Sequence, residues 1–210
     1  MEMRDGVHVG PRAQDLARND EDRAVMRLIF AGSRLGRPVV TTPDVPAERV
    51  KALRDLHLSG YILKSDSPSC GMERVKVFAE NGIPAKTGRG LFAMALMEAC
   101  PLLPVEEEGR LNDPGLRENF LVRVFAYHRL QELTLRRFTV GELVAFHAAH
   151  KYLMLAHSPK HYALLGRVVA GAKKTPHAEL RDTYGTLFME GLRVKTTAKD
   201  FAEFWATYDD

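Results

Sequence analysis

The chain has 210 residues, 45% of them apolar and 27% charged, with 30 Lys and Arg against 27 Asp and Glu. That length predicts one or two domains with a sizeable core, and the composition excludes a wholly disordered chain or a membrane span of about 20 apolar residues. A formal charge of +3 is too small to establish a nucleic-acid partner, so any such reading rests on local clustering.

The two cysteines, Cys70 and Cys100, form no CxxC pair and cannot build a disulfide framework. With no apolar signal-like run at the N-terminus, the sequence reads as a soluble, reduced, cytoplasmic protein.

In chain order, Ala24, Val25, Leu28 and Ile29 recur at helical spacing before Gly32 and Gly36. Val39-Val40-Thr41-Thr42 is a β-branched run between prolines and predicts a short strand. Val50, Leu53 and Leu56 predict a helix over 45–58, which Gly60 ends before a buried-strand candidate, Tyr61-Ile62-Leu63. Helix, glycine, apolar strand and polar loop together follow the grammar of a βαβ unit. Val75-Lys76-Val77-Phe78 reads as a further strand, Asn81-Gly82 as a tight turn, and Lys86-Thr87-Gly88-Arg89-Gly90 as a basic turn into a helix over 91–99. Glu106-Glu107-Glu108 lies among prolines in 101–114, a composition that marks a domain boundary.

Beyond Pro114 the pattern is helical. Helices are predicted over 116–135, over 139–156 with a Thr139/Glu142 capping box, and over 158–172 with Ser158 as N-cap and Pro159 behind it. Two more follow over 182–192 and 198–208. The expected fold is therefore an α/β domain over 1–97, with a short, mostly parallel sheet and flanking helices, a linker over 98–112, and an all-α domain over 113–210.

Three features carry candidate chemistry. Cys70, in Ser67-Pro68-Ser69-Cys70-Gly71, directly follows a predicted buried strand, where ligands of open α/β proteins collect. Its sulfur could attack, ligate iron, or sit in the turn as an incidental thiol. Lys86 and Arg89 flank glycines at a helix start, a pattern that fits either an anion site or an ordinary helix entry.

The third is the segment 120–162, which holds six Lys and Arg against two acids, together with five of the eight histidines. Arg136, Arg137, His147, His150, Lys151, His157, Lys160 and His161 interleave there with aromatics such as Phe146, Tyr152 and Tyr162. Cations neutralise phosphates while aromatic and imidazole rings stack on bases, so this composition suits single-stranded or looped RNA. Core histidines on a solvated basic face are the alternative. Zinc is disfavoured because His157 precedes the Ser158 cap and shares no helical face with His161.

The stretch from Ile62 to Val77, centred on Lys64-Ser65-Asp66-Ser67-Pro68-Ser69-Cys70-Gly71, resembles the third cysteine motif of the thiouracil desulfidase-like family. Pro101 to Pro114 resembles the join in its two-domain members. Asn119-Phe120, Phe146-His147, His150-Lys151 and His157-Ser158-Pro159-Lys160-His161-Tyr162 resemble the YbgA-like helical domain fused behind it. The resemblance implies a desulfidase acting on thiolated uracil, with 4-thiouridine of tRNA as substrate and a [4Fe–4S] cluster on three cysteines. It gives Cys70 the third ligand position, places Ser67 or Ser69 near substrate with Ser67 favoured, and gives the helical domain an RNA-facing role. The family's other two ligands lie upstream, one in a Cys-Pro-Glu motif; this sequence has neither that motif nor any cysteine before Cys70. Two expectations follow: a desulfidase whose missing ligands come from elsewhere, or an RNA-binding or partner-binding protein without catalysis.

Overall fold

The computed structural model describes residues 50–65, 67, 69–78, 84–135 and 138–196. The strand expected at Val39–Thr42, the Asn81-Gly82 turn and the helix expected over 198–208 lie outside the described residues.

The first half is α/β. A helical turn over 50–54 buries Val50 and Leu53, and the chain then enters β1 (Tyr61–Leu63). β2 (Val75–Phe78) and β3 (Pro84–Gly88) form an antiparallel hairpin. α1 (Leu91–Ala99) follows and buries Phe92, Ala93 and Leu96. β4 (Val105–Glu107) then pairs in parallel with β1, with Tyr61 opposite Val105 and Leu63 opposite Glu107. Leu53, Leu58, Leu63, Phe92, Leu96 and Val105 make one continuous core.

Two segments differ from the sequence expectation. Pro84–Gly88 is a strand, not a turn, because its backbone completes the hairpin with β2. Val105–Glu107, with the first two glutamates of the acidic run, is a strand inside the expected linker. Its glutamates are buried because their carboxylates have local donors: the Met72 amide reaches Glu107 Oε1 at 2.6 Å and Arg110 Nε reaches Glu106 Oε1 at 2.6 Å.

The second half is helical. α2 (Pro114–Leu135) starts from Asp113, whose Oδ1 accepts the Leu116 amide at 2.8 Å. α3 (Val140–Ala149) carries the expected capping box: Thr139 Oγ1 accepts the Glu142 amide, and Glu142 Oε2 accepts the Thr139 amide. The expected single helix over 139–156 breaks at His150, giving α4 (Lys151–His157). His150 leaves helical geometry at φ −103° and ψ 9°, while its Nδ1 bonds the Phe146 carbonyl at 2.8 Å. α5 (Pro159–Gly171) begins on the Ser158 cap and runs into a 3-10 turn, Ala172–Lys174. α6 (His177–Arg193) starts earlier than the pattern indicated, directly after Pro176, and packs chiefly on α5 and α2. No strand follows Pro114 among the described residues.

α2 joins the halves. Phe120 and Val124 meet Ile62 on the sheet side, whereas Ala126 and Leu130 belong to the helical core with Leu143, Leu165, Tyr184 and Phe188. Gln131 Nε2 donates to the Leu58 carbonyl at 3.2 Å, and Arg193 donates to the Pro101 carbonyl at 2.9 Å.

Candidate functional site

The loop between β1 and β2 lies over the C-terminal ends of the parallel strands. Ser67 Oγ accepts the amides of Ser69 (3.3 Å) and Cys70 (3.2 Å), a turn in which a hydroxyl replaces a backbone acceptor. The Gly71 amide closes the same turn on the Ser67 carbonyl at 2.7 Å. The Ser69 carbonyl then takes the amides of Phe92 and Ala93 at the start of α1, and Gly71 accepts from Gly90 at 2.8 Å. Two of the first free amides of α1 are thus filled by the cysteine loop. An anion would have to displace Ser69 to bind there. Arg89 is exposed beside this junction, and the Lys86 backbone lies in β3.

A charged set anchors the loop from below. Glu107 holds the Met72 amide, and Glu106 Oε1 accepts from its neighbour's amide and from Arg110. Arg110 also pairs with Glu73 on the loop. The hydrogen bond with Glu106 raises the pKa of Arg110, so the guanidinium stays charged. Gly109 donates to Ser65 Oγ at 3.2 Å, which ties the exit of β4 to the loop.

Cys70 is a half-buried free thiol packed against the first core. Cys100 caps the other end of α1, a nine-residue helix about 13 Å long. The chain's two thiols therefore cannot meet on one inorganic core. Among the described residues no group of three or more His, Cys, Asp and Glu side chains could hold a metal ion. A [4Fe–4S] cluster, which takes thiolates on its irons, does not fit this donor set.

Cys100 instead lines a cleft of about 700 Å³ between the halves, with Leu58, Tyr127, Gln131, Met189 and Arg193. Burial pushes the Cys100 thiol and the Tyr127 hydroxyl upward, so both are protonated at neutral pH.

The histidines of 120–162 are distributed through the helical core. His147 Nδ1 meets the Tyr184 hydroxyl at 3.1 Å while its ring stacks on Tyr162. His150 is 7% exposed and stacks on Phe146, and His157 bonds the Val194 carbonyl at 2.7 Å. Burial holds all three below the usual imidazole range. His161 Nδ1 bonds the Ser158 cap at 2.8 Å. His147 and His157 reach across to α6 and its C-terminal end, whereas His150 and His161 bond close to their own positions in the chain. Phe146 is buried and Tyr162 is engaged, which leaves Tyr152, 56% exposed, with Lys151 Nζ over its ring. Lys160 is exposed; Arg136 and Arg137 lie outside the described residues.

Sequence reasoning missed Gly90, Glu107 and the exposed cations Arg167, Lys173 and Lys174. A signal for the last three was present: residues 143–178 contain no Asp or Glu at all.

Residues 40–108 match the family model described as 2-thiouracil desulfurase, and residues 151–206 match that of a protein of unknown function, DUF1722. The first match ends just beyond β4; the second covers α4 to α6 and the residues up to 206. No curated protein and no solved structure matches the chain.

Proposed function

We propose that this chain, a 2-thiouracil desulfurase-family segment joined to a DUF1722 segment, is an RNA-binding member of that family that does not by itself assemble the family's cluster. Charge placement carries the RNA reading. Residues 114–196 hold thirteen Lys and Arg against six Asp and Glu, whereas the rest of the chain has an acidic excess. Arg129, Lys160, Arg167, Lys173, Lys174 and Lys195 all face solvent. Cations so placed neutralise phosphates and release condensed counterions, which makes affinity strongly salt-dependent.

The donor set argues against unaided desulfurisation, since Cys70 stands alone at the strand ends. The described residues of its loop are nonetheless well bonded, so a desulfidase completed by ligands from another chain is the competing outcome. Anaerobic reconstitution with iron and sulfide, followed by metal analysis and a visible spectrum, separates the two. The expected result is no bound iron, with tRNA affinity that falls steeply as salt rises. About four irons per chain together with sulfur release from 4-thiouridine would overturn the non-catalytic reading. Failure to bind tRNA at low salt would overturn the RNA reading.

A further inference from the structure

α5 presents solvent with an unusually uniform face. Lys160, Ala163, Arg167 and Ala170 are exposed at successive intervals of three and four residues, and Lys173 and Lys174 are exposed on the 3-10 turn that follows. Such spacing places side chains in one row along a helix. Lys160 and Arg167 are seven residues and about 10 Å apart on α5, and Lys174, seven residues further, extends the basic surface onto the 3-10 turn. Only alanine methyls separate the charges. Gly166, next to Arg167, has nothing within 4 Å of where a Cβ would stand. The opposite face is committed to the fold, with Leu165 fully buried and Tyr162 stacked on His147.

None of these four cations forms an ion pair among the described residues. The nearest acids along the chain are Glu142, held at the Thr139 cap, and Glu179 on α6. The row also lacks apolar company: the large exposed hydrophobic residues are Leu56, Leu91, Met94, Leu135, Val144, Tyr152 and Val194, none of them on α5. Splayed single-stranded bases need aromatic platforms, and a membrane surface needs apolar anchors. A straight row of cations with neither fits phosphates held in regular array.

Resting on the RNA-binding reading above, we propose that the exposed face of α5 is a docking rail for the phosphate backbone of double-helical RNA. It reads shape and charge, not sequence, as proteins that grip A-form helices do.

The test uses the full chain, two RNA duplexes of unrelated sequence, and a single-stranded oligouridine of equal length, each titrated across a potassium chloride series. The wild-type chain is expected to bind both duplexes equally and the oligouridine more weakly. Lys160→Gln, Arg167→Gln and Lys174→Gln combined should lower the log–log salt slope for duplex by about 2–3 and weaken binding at low salt at least about tenfold. Lys51→Gln, on an exposed cation of the first half, should leave the slope unchanged. Swapping the three cations for each other (Lys160→Arg, Arg167→Lys, Lys174→Arg) should preserve it, which separates charge from folding. An unchanged slope in the triple Gln variant overturns the rail and leaves the RNA reading standing. A preference for oligouridine that Tyr152→Ala abolishes assigns binding to a stacking site and also overturns the rail. No RNA binding by the wild-type chain defeats both readings.

Discussion

Replacing Gly90 with alanine tests whether the cysteine loop and α1 are one mechanical unit. Gly90 has φ −67° and ψ 139°, angles open to any residue, so its backbone conformation does not require glycine. Space does. A Cβ there would stand 2.2 Å from the Ser69 carbonyl oxygen and 2.7 Å from the Cys70 nitrogen, and both are backbone atoms that no rotamer change can move. The loop must therefore retreat from the helix. That retreat loosens the bonds from Phe92 and Ala93 to Ser69 and from Gly90 to Gly71. Overpacking costs about 1–3 kcal/mol, and each weakened hydrogen bond adds about 1 kcal/mol. A total of about 4–6 kcal/mol corresponds to a fall in Tm of roughly 8–24 °C for a chain of this size. Gly166→Ala provides the contrast, because an added methyl meets nothing within 4 Å in mid-helix. It should gain about 0.5–1 kcal/mol. Thermal unfolding followed by circular dichroism reads both. A Gly90→Ala chain that melts within about 1 °C of wild type, far short of that fall, would refute the close-packed junction.

The core histidines predict acid sensitivity. His147, His150 and His157 are held below the usual imidazole range, chiefly by burial, so the unfolded chain binds protons more readily than the folded one. Their stabilising contribution is complete above the unfolded value near 6.5 and is lost as pH falls below it. Tm should therefore drop between about pH 7.5 and about pH 5.5, with a shallower drop in His157→Asn; a profile unaffected by the substitution would remove His157 from that account. At the sheet, Glu107→Ala strands the Met72 amide and should cost about 1–3 kcal/mol in urea unfolding. Glu107→Gln keeps an oxygen acceptor there and should cost under about 1 kcal/mol. Equal losses in the two variants would show that the hydrogen bond is not what Glu107 supplies.

Much of the helical half was legible because its signals are local. Thr139 and Glu142 cap each other as their spacing requires, Ser158 and Pro159 open α5, and apolar periodicity locates α2. β1, β2 and α1 were legible for the same reason. What escaped depends on partners distant in sequence. Val105–Glu107 looks like a solvated acidic hinge until β1 is placed beside it and Met72 and Arg110 are brought to the carboxylates. His147 and His157 looked available for RNA or metal because their partners, Tyr184 and Val194, are each 37 residues away. Gly90 read as part of a flexible phosphate turn, whereas it is a point of closest approach. In each case the residue type was noticed and its contact was not.

The geometry of the cysteine loop shows what its residues do for the fold apart from any chemistry of Cys70. Among the described residues the loop is held by Ser67 Oγ to two amides, the Ser69 carbonyl to α1, the Met72 amide to Glu107, and Glu73 to Arg110. None of these bonds uses sulfur. The same loop caps α1 and covers the ends of β1 and β4, so the core made by Leu63, Phe92, Leu96 and Val105 depends on its conformation. Stability alone is then enough to call for Ser67, Gly71 and Gly90, because losing the Ser67 hydroxyl opens the turn and a Cβ at either glycine crowds a packed junction. The conformation of the loop is consequently evidence for the fold, and evidence for cluster chemistry only where further thiolates stand within reach of Cys70. In this chain the other thiol is at the far end of α1.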